Sequence, residues 1–154
     1  GLVGLPAENA RNSRISALLA LGDACATIGD EGHAALLGEA LLPYADQWQV
    51  VGWGSAVFAS VRTMLGALTA LQKKWPAAEE HFEEALAQHD RENAVCAQAR
   101  TLFQYARAVQ RRGRRTDVSR ARELIRRGLE LAHDHRLDGI AARLQRLASA
   151  RKPQ

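Results

Sequence analysis

The stretch from residue 65 to residue 87, LGALTALQKKWPAAEEHFEEALA, constrains the fold most, because it reads as two helices joined by a short turn. The first helix is indicated by apolar residues at helical spacing, at Val57, Val61, Leu65 and Leu68. Pro76 suits the first turn of the second helix, where its missing N–H is not needed. One face of that second helix carries Ala78, Phe82 and Ala85. The stretch therefore predicts a helical hairpin.

This hairpin resembles a tetratricopeptide repeat. After the Leu65-Gly66 pair, a small residue stands twelve positions beyond the glycine, an aromatic residue sixteen beyond, and a second small residue nineteen beyond. The spacing has a physical cause, since two antiparallel helices approach closely only where side chains are small. Gly66 and Ala78 permit that approach, and Phe82 is expected to fill the gap between one hairpin and the next.

A less complete copy of the spacing precedes the central hairpin. Gly22 is followed by Ala34 at the position of the first small residue, and between them Gly29 and Asp30 are suited to end one helix and cap the next. Gly38 stands where the aromatic residue belongs. We therefore expect a looser first hairpin, or a side chain from outside it that fills the gap.

A third copy follows, with Ala106, Ala121 and Gly128 as its close-contact positions and Ile125 in place of the aromatic residue. Ala106 and Ala121 are fifteen residues apart instead of twelve, so the turn between the helices carries a three-residue insertion. Loops tolerate insertions at small cost. Beyond it, Asp138 begins a final helix that is expected to cover the open end of the repeat stack.

The sequence thus predicts an all-α fold of seven helices, in which three tetratricopeptide-like hairpins and a C-terminal capping helix form a right-handed superhelical stack. Residues 1–7 are expected to be a linker or tag remnant, residues 8–152 a single repeat domain, and residues 45–54 a loop. The structural signature of the repeats consists of Gly22, Ala34, Leu65, Gly66, Ala78, Phe82, Ala85, Ala106, Ala121 and Gly128.

Composition agrees with packed helices, since aromatic residues make up only 5% of the chain. No apolar run approaches the roughly 18 residues that a membrane span needs. Cys25 and Cys96 are expected to be reduced, as in a cytoplasmic protein. The single methionine is Met64, so we expect the chain to be a piece of a longer protein.

A more specific resemblance rests on the segments LLPYAD at 41–46 and VVGWGSA at 50–56. With the central hairpin, they are similar to the helical-repeat region of large bacterial regulators that contain a signal-transduction ATPase. Some of those regulators add a LuxR-type DNA-binding domain, and others a nucleotide-cyclase domain. The resemblance implies a cytoplasmic scaffold or sensor role in signal transduction or transcriptional regulation, and it transfers no catalytic residue.

Motifs for catalysis or cofactor binding are not found in the sequence. It has no GxxxxGK[ST] phosphate loop, and its two cysteines lie 71 positions apart, which is not a zinc-site spacing. His81 and His89 are expected on a solvated face. We therefore predict a non-catalytic chain without cofactor or metal, whose partner is a protein or peptide and not a membrane.

The candidate binding surface is the concave face that the repeat resemblance implies. The residues assigned to it are Arg100, Phe103, Arg107, Arg111, Thr63 and Ala67. The three arginines are spaced by seven and four residues, so a helix places them in one stripe with Phe103. Such a stripe suits an acidic, partly apolar peptide or another domain of the parent chain.

Other interpretations of this basic region remain open. Residues 99–154 carry 15 basic and 5 acidic residues, which also suits nucleic-acid binding. No DNA-reading motif accompanies this charge, so we expect direct nucleic-acid contact less than protein binding. The arginines can also be a solvated face with no ligand, in a purely structural spacer.

Overall fold

The computed structural model describes the backbone of residues 5–51 and 56–150 and the side chains of residues 8–48 and 60–150. Seven α-helices make up most of this part of the chain, which confirms the predicted helical class and the number of helices. They are α1 Leu5–Ile28, α2 Glu31–Leu41, α3 Val61–Leu71, α4 Trp75–Arg91, α5 Val95–Arg112, α6 Asp117–Asp134 and α7 Asp138–Ser149. Because α1 begins at Leu5, the linker predicted over residues 1–7 is too long.

A short β-hairpin between α2 and α3 corrects the loop predicted for residues 45–54. Strand β1, Trp48–Val51, pairs antiparallel with strand β2, Ala56–Ser60, and the register is irregular between Gln49 and Val50. Val57 therefore lies in a strand and not in the helix that its spacing predicted. Valine and aromatic residues favour strands, and they stand side by side here as Val50-Val51 and Val57-Phe58, although Val57 also continues the helical spacing of α3.

Contacts divide the chain into two compact units, residues 1–81 and 82–154, and the division falls inside α4. In the first unit, α1 and α2 are joined by Gly29, with φ +77°, and by Asp30, whose carboxylate accepts the N–H groups of Gly32 and His33. This turn is the one that the sequence predicted. Both helices pack on α3. Buried apolar side chains of this core include Ile15, Leu19, Leu41, Val61, Leu65 and Leu68.

Two glycines of the first unit stand in different surroundings. A Cβ atom on Gly22 would lie 2.8 Å from Cγ and Sδ of Met64, so a side chain at this position would require the Met64 side chain to move. A Cβ atom on Gly38 would lie 3.6 Å from Nε2 of Gln72, an ordinary contact distance. Gln72 also donates to the carbonyls of Ala34 and Leu68. A side chain from the end of α3 thus reaches the position where the repeat has an aromatic residue.

The second unit contains the C-terminal half of α4 together with α5, α6 and α7. The Phe82 ring is 1% exposed and stacks on the Tyr105 ring, with centroids 4.7 Å apart and planes inclined by 13°. A Cβ atom on Gly128 would lie 2.9 Å from Cδ1 of Leu144, so α6 and α7 are in close contact. Fully buried apolar side chains of this core include Phe82, Leu102, Val109, Leu124 and Leu144.

Each residue of the predicted repeat signature is buried, in whichever unit it lies. Burial is what the close-contact positions of packed helices require, because small residues there allow the backbones to approach. The superhelical arrangement and the single repeat domain over residues 8–152 stay predictions.

Candidate partner-binding surface

Helix α5 carries the basic and aromatic residues that the sequence assigned to the binding surface. Arg100 and Arg107 are half-buried, Arg111 is exposed, and Phe103 is 8% exposed. The helix ends at Gly113, which has φ +71° and donates its N–H to the carbonyl of Val109. One helix therefore brings the four assigned residues together, and its length is set by a left-handed glycine.

Thr63 and Ala67, the two assigned residues of α3, do not lie on an open surface. Their exposed fractions are 4% and 5%. The Thr63 hydroxyl lies 3.1 Å from the hydroxyl of Ser60, which also accepts the Thr63 N–H at the start of α3. Thr63 thus takes part in capping its own helix, and neither residue is available to a partner in the first unit as it stands.

The ring of Phe103 is contacted by two guanidinium groups. Cζ of Arg107 lies 5.4 Å from the ring centroid, and Cζ of Arg143, which comes from α7, lies 4.5 Å from it. Arg107 also donates to Oε1 of Gln104 at 2.6 Å, which fixes its orientation along α5. A cation over an aromatic face is stabilised by about 0.5–2 kcal/mol, depending on how far it is desolvated.

Sequence reasoning missed Arg143, because α7 was assigned only the role of a cover. Its neighbours Ile140, Ala141 and Leu144 are buried, and the side chain of Gln110 on α5 donates to the carbonyl of Leu147. These contacts place α7 beside α5. The one indication in the sequence was that Arg143 stands next to the apolar residues of the helix predicted to cover the repeat stack. We call Arg100, Phe103, Arg107, Arg111 and Arg143 the Phe103 surface.

Several arginines of the second unit are neutralised by carboxylates. Arg112 donates from Nε and Nη2 to both oxygens of Asp117, and this partly buried pair holds the turn between α5 and α6. Arg126 bridges Glu123 and Glu130 along α6. Within the described part of the chain, the contact with the Phe103 ring is the one interaction of the Arg143 guanidinium. Arg143 therefore contributes a positive charge to the Phe103 surface.

The buried histidine of α4 corrects the solvated position predicted for it. His89 is fully buried, and its Nδ1 lies 3.3 Å from the hydroxyl of Thr101, which donates to the carbonyl of Ala97. A hydroxyl that donates to this carbonyl can accept from Nδ1–H of His89. Burial lowers the pKa of His89 to about 4. His89 stands seven residues after Phe82, which is about two helical turns, so this spacing could have predicted that both residues lie on the buried face of α4.

Within the described residues, no group of three His, Cys, Asp or Glu side chains is placed to hold a metal ion. None of the described helices has the length and apolar character to cross a membrane. No protein-family model, curated protein or solved structure matches the chain. A functional proposal for this chain therefore depends on the Phe103 surface.

Proposed function

We propose that this chain is a non-catalytic protein-interaction module that binds an acidic, partly apolar peptide on the Phe103 surface. One observation carries the proposal, namely that the guanidinium groups of Arg107 and Arg143, from two helices, meet over one phenyl ring. Arginine binds carboxylates through two parallel hydrogen bonds. The phenyl ring is 8% exposed, so it mainly positions the two cations and adds little apolar contact of its own. Acidic side chains of the peptide would therefore supply most of the binding, and apolar side chains would have the smaller share.

The repeat spacing supports the same class of function. Stacks of helical hairpins present extended surfaces on which peptides bind, and the tetratricopeptide-like arrangement in a right-handed superhelix belongs to this proposal. The resemblance to large bacterial regulators extends it: the module would serve a LuxR-type regulator or a nucleotide-cyclase and ATPase fusion in the cytoplasm. Its peptide partner would then be a segment of another protein or of the parent chain.

The test is binding of a short fluorescent peptide in which glutamate alternates with leucine, measured by fluorescence anisotropy. Changing Arg107→Gln and Arg143→Gln together should weaken binding at least about tenfold, because each charge-assisted hydrogen bond contributes roughly 1.5–3 kcal/mol before solvent screening. A second check is the triple change of Arg100, Arg107 and Arg111 to Ala, which should act in the same direction with helicity unchanged.

The matched control is the pair Arg115→Gln and Arg122→Gln, which removes the same charge from exposed positions that are not part of the Phe103 surface. This pair should change the affinity less than about twofold, as expected for exposed charges. A second control is the peptide with lysine in place of glutamate, which should not bind. Equal weakening by both arginine pairs would show that net charge, and not the Phe103 surface, holds the peptide.

A second candidate function is nucleic-acid binding, which one observation favours. Several arginines of the second unit form no ion pair within the described residues, namely Arg114, Arg115, Arg122, Arg136 and Arg146. Phosphate contacts would give an affinity that falls steeply with salt, and double-stranded DNA of any sequence would serve as the probe. The double variant Arg115→Gln, Arg122→Gln should bind this DNA more weakly than the unaltered chain, whereas it should bind the acidic peptide with nearly unchanged affinity.

A further inference from the structure

Helix α7 contributes Arg143 to the Phe103 surface, and this helix is short. It has 12 residues, whereas α5 and α6 have 18 each. Its N-cap position is Leu137, whose side chain has no hydrogen-bonding atom to offer the first turn. Isolated helices shorter than about 12–15 residues are marginal in water. The helical structure of α7 therefore depends on its packing against α5 and α6.

Apolar packing and one hydrogen bond hold α7 in this docked position. Its apolar face buries Ile140 and Leu144. A Cβ atom on Gly128 of α6 would lie 2.9 Å from Cδ1 of Leu144, so the leucine packs directly on that glycine. Near the other end, the Gln110 side chain of α5 donates to the carbonyl of Leu147 at 3.3 Å. This carbonyl belongs to the last turn of α7, where helices leave carbonyls without intrahelical partners.

The contact between Arg143 and Phe103 joins α7 to the binding surface. Cζ of Arg143 lies 4.5 Å from the ring centroid, nearer than Cζ of Arg107 at 5.4 Å. Because Phe103 and Arg107 belong to α5, the two cations meet over the ring only while α7 is docked. An undocked α7 would leave Arg107 without the second guanidinium beside it. The Phe103 surface is therefore complete only in the docked state.

We propose that an acidic peptide bound on the Phe103 surface stabilises the docked position of α7, so that binding and docking are coupled. This inference rests on the proposed function and adds the element whose conformation responds to the peptide. One carboxylate held by Arg143 and another held by Arg107 would connect α7 to α5 through the peptide. A ligand that prefers one of two conformations shifts the equilibrium toward it, by as much as its affinities for the two differ.

The expected size of the effect follows from this linkage. For a peptide that requires the docked helix, a free concentration of 100 times the dissociation constant shifts the docking equilibrium about 100-fold. Backbone amides of α7 exchange their hydrogens with solvent when the helix undocks and loses its hydrogen bonds. Their exchange rate should fall in proportion, until unfolding of the whole second unit becomes the faster route.

The test is hydrogen exchange of the whole chain, measured by mass spectrometry with and without a saturating concentration of the glutamate–leucine peptide. The amides of α7 should exchange at least about tenfold more slowly when the peptide is present. The lysine-containing peptide at the same concentration should leave their rates unchanged. The slowest amides of α5 and α6 serve as an internal reference, since any ligand of the folded chain slows exchange that requires unfolding of the unit.

Arg143→Gln separates binding from coupling. The peptide is added to this variant at a higher concentration, so that anisotropy shows the same occupancy as in the unaltered chain. The reference amides of α5 and α6 should still be slowed, whereas those of α7 should exchange at their ligand-free rate. The matched control is Arg146→Gln, which removes the same charge from an exposed position of the same helix and should retain the slowing of α7.

Docking should in turn affect peptide affinity, because coupling between two equilibria is reciprocal. Leu144→Ala removes a buried side chain that lies outside the Phe103 surface and packs on Gly128. By raising the undocked fraction, it should weaken peptide binding at least about threefold. In the Arg143→Gln background the same change should weaken binding less than about twofold, because the peptide then no longer depends on α7.

Unchanged exchange of α7 at saturating peptide would overturn the inference and leave the proposed function intact, because the peptide would then bind through α5 alone. Slowing of α7 that persists in Arg143→Gln would overturn the role of the contact with Phe103. Absence of any peptide binding by anisotropy would overturn the proposed function and this inference with it.

Discussion

His89 places a titratable ring in the interior of the second unit. Because the folded chain favours the neutral ring, the unfolded chain takes up the proton first as the pH falls below the ordinary value of 6.5. Stability should therefore be complete above that pH and should decrease as the pH falls toward about 4. The pKa difference corresponds to a loss of at most about 3 kcal/mol, at 1.36 kcal/mol per pKa unit.

Urea unfolding of the chain and of His89→Leu, measured at a series of pH values from neutral to mildly acidic, checks this prediction. The variant should lose less stability over that range than the unaltered chain, since leucine does not titrate. Carboxylates that become protonated at the acidic end affect both proteins alike, so the difference between them isolates His89. Parallel pH profiles for the two proteins would contradict the prediction.

Asp117 should contribute more to stability than any exposed carboxylate of α6. Its oxygens accept hydrogen bonds from the Arg112 side chain and from the N–H of Arg114, and the hydrogen bond from Arg112 holds the pKa of Asp117 below its usual range. Asp117→Ala would leave the partly buried guanidinium of Arg112 without its anion. We expect a loss of about 3 kcal/mol in the free energy of unfolding.

The control for Asp117 is Glu123→Ala, which removes an exposed carboxylate from Arg126 and should cost less than about 1 kcal/mol. Replacing both members of the buried pair, with Arg112→Leu and Asp117→Ala, should recover part of the loss, because no charge then remains unpaired. Chemical denaturation of the three variants measures these differences. Equal losses for Asp117→Ala and Glu123→Ala would mean that the pair is effectively solvated.

At the scale of elements, the two glycines of the first hairpin should respond in opposite directions to alanine. Gly38→Ala should raise stability by about 0.5–1 kcal/mol, since alanine favours a helix and its Cβ atom would meet Gln72 at an ordinary distance. Gly22→Ala should lower stability by roughly 1–3 kcal/mol, since Met64 must move away. Thermal unfolding of the two variants measures both shifts, and equal signs would contradict the packing of α1 on α3.

Patterns among neighbouring residues were sufficient to predict the helices, whereas contacts between residues far apart in the sequence could not be predicted from it. The turn at Gly29 and Asp30 and the start of α4 near Pro76 depend on neighbouring residues, and the structure has them where they were expected. The contact of Arg143 with Phe103 joins residues 40 positions apart, and no local spacing reports it. The β-hairpin was missed because its apolar residues continued the helical spacing of α3.

The candidate site shows the same limit: its residues could be predicted where the period of one helix is sufficient to group them. A period of 3.6 residues was sufficient to place Arg100, Phe103 and Arg107 in one stripe of α5. It was not sufficient for Thr63 and Ala67, because their exposure depends on what packs against α3. The burial of a residue on an amphipathic helix is decided by the neighbouring helices, and one helix alone does not determine it.

At the scale of the whole molecule, the two compact units share one continuous helix, and this should couple their unfolding. Ala78 in the first unit and Phe82 in the second are both buried and lie one turn apart on α4. Unfolding of either core would remove contacts that hold this helix. Helix formation is itself cooperative. We therefore expect one transition for the whole chain.

The distribution of chromophores makes this coupling measurable. All three tryptophans, at positions 48, 53 and 75, precede the division at residue 82 in the sequence, whereas far-ultraviolet circular dichroism reports on helices of both units. The two signals should therefore give one midpoint in urea, as two-state unfolding requires. Phe82→Ala removes a buried ring of the second unit, should cost about 3–5 kcal/mol, and should shift both midpoints equally. If the tryptophan signal kept its midpoint while the circular dichroism midpoint fell, α4 would not couple the units, and each would unfold alone.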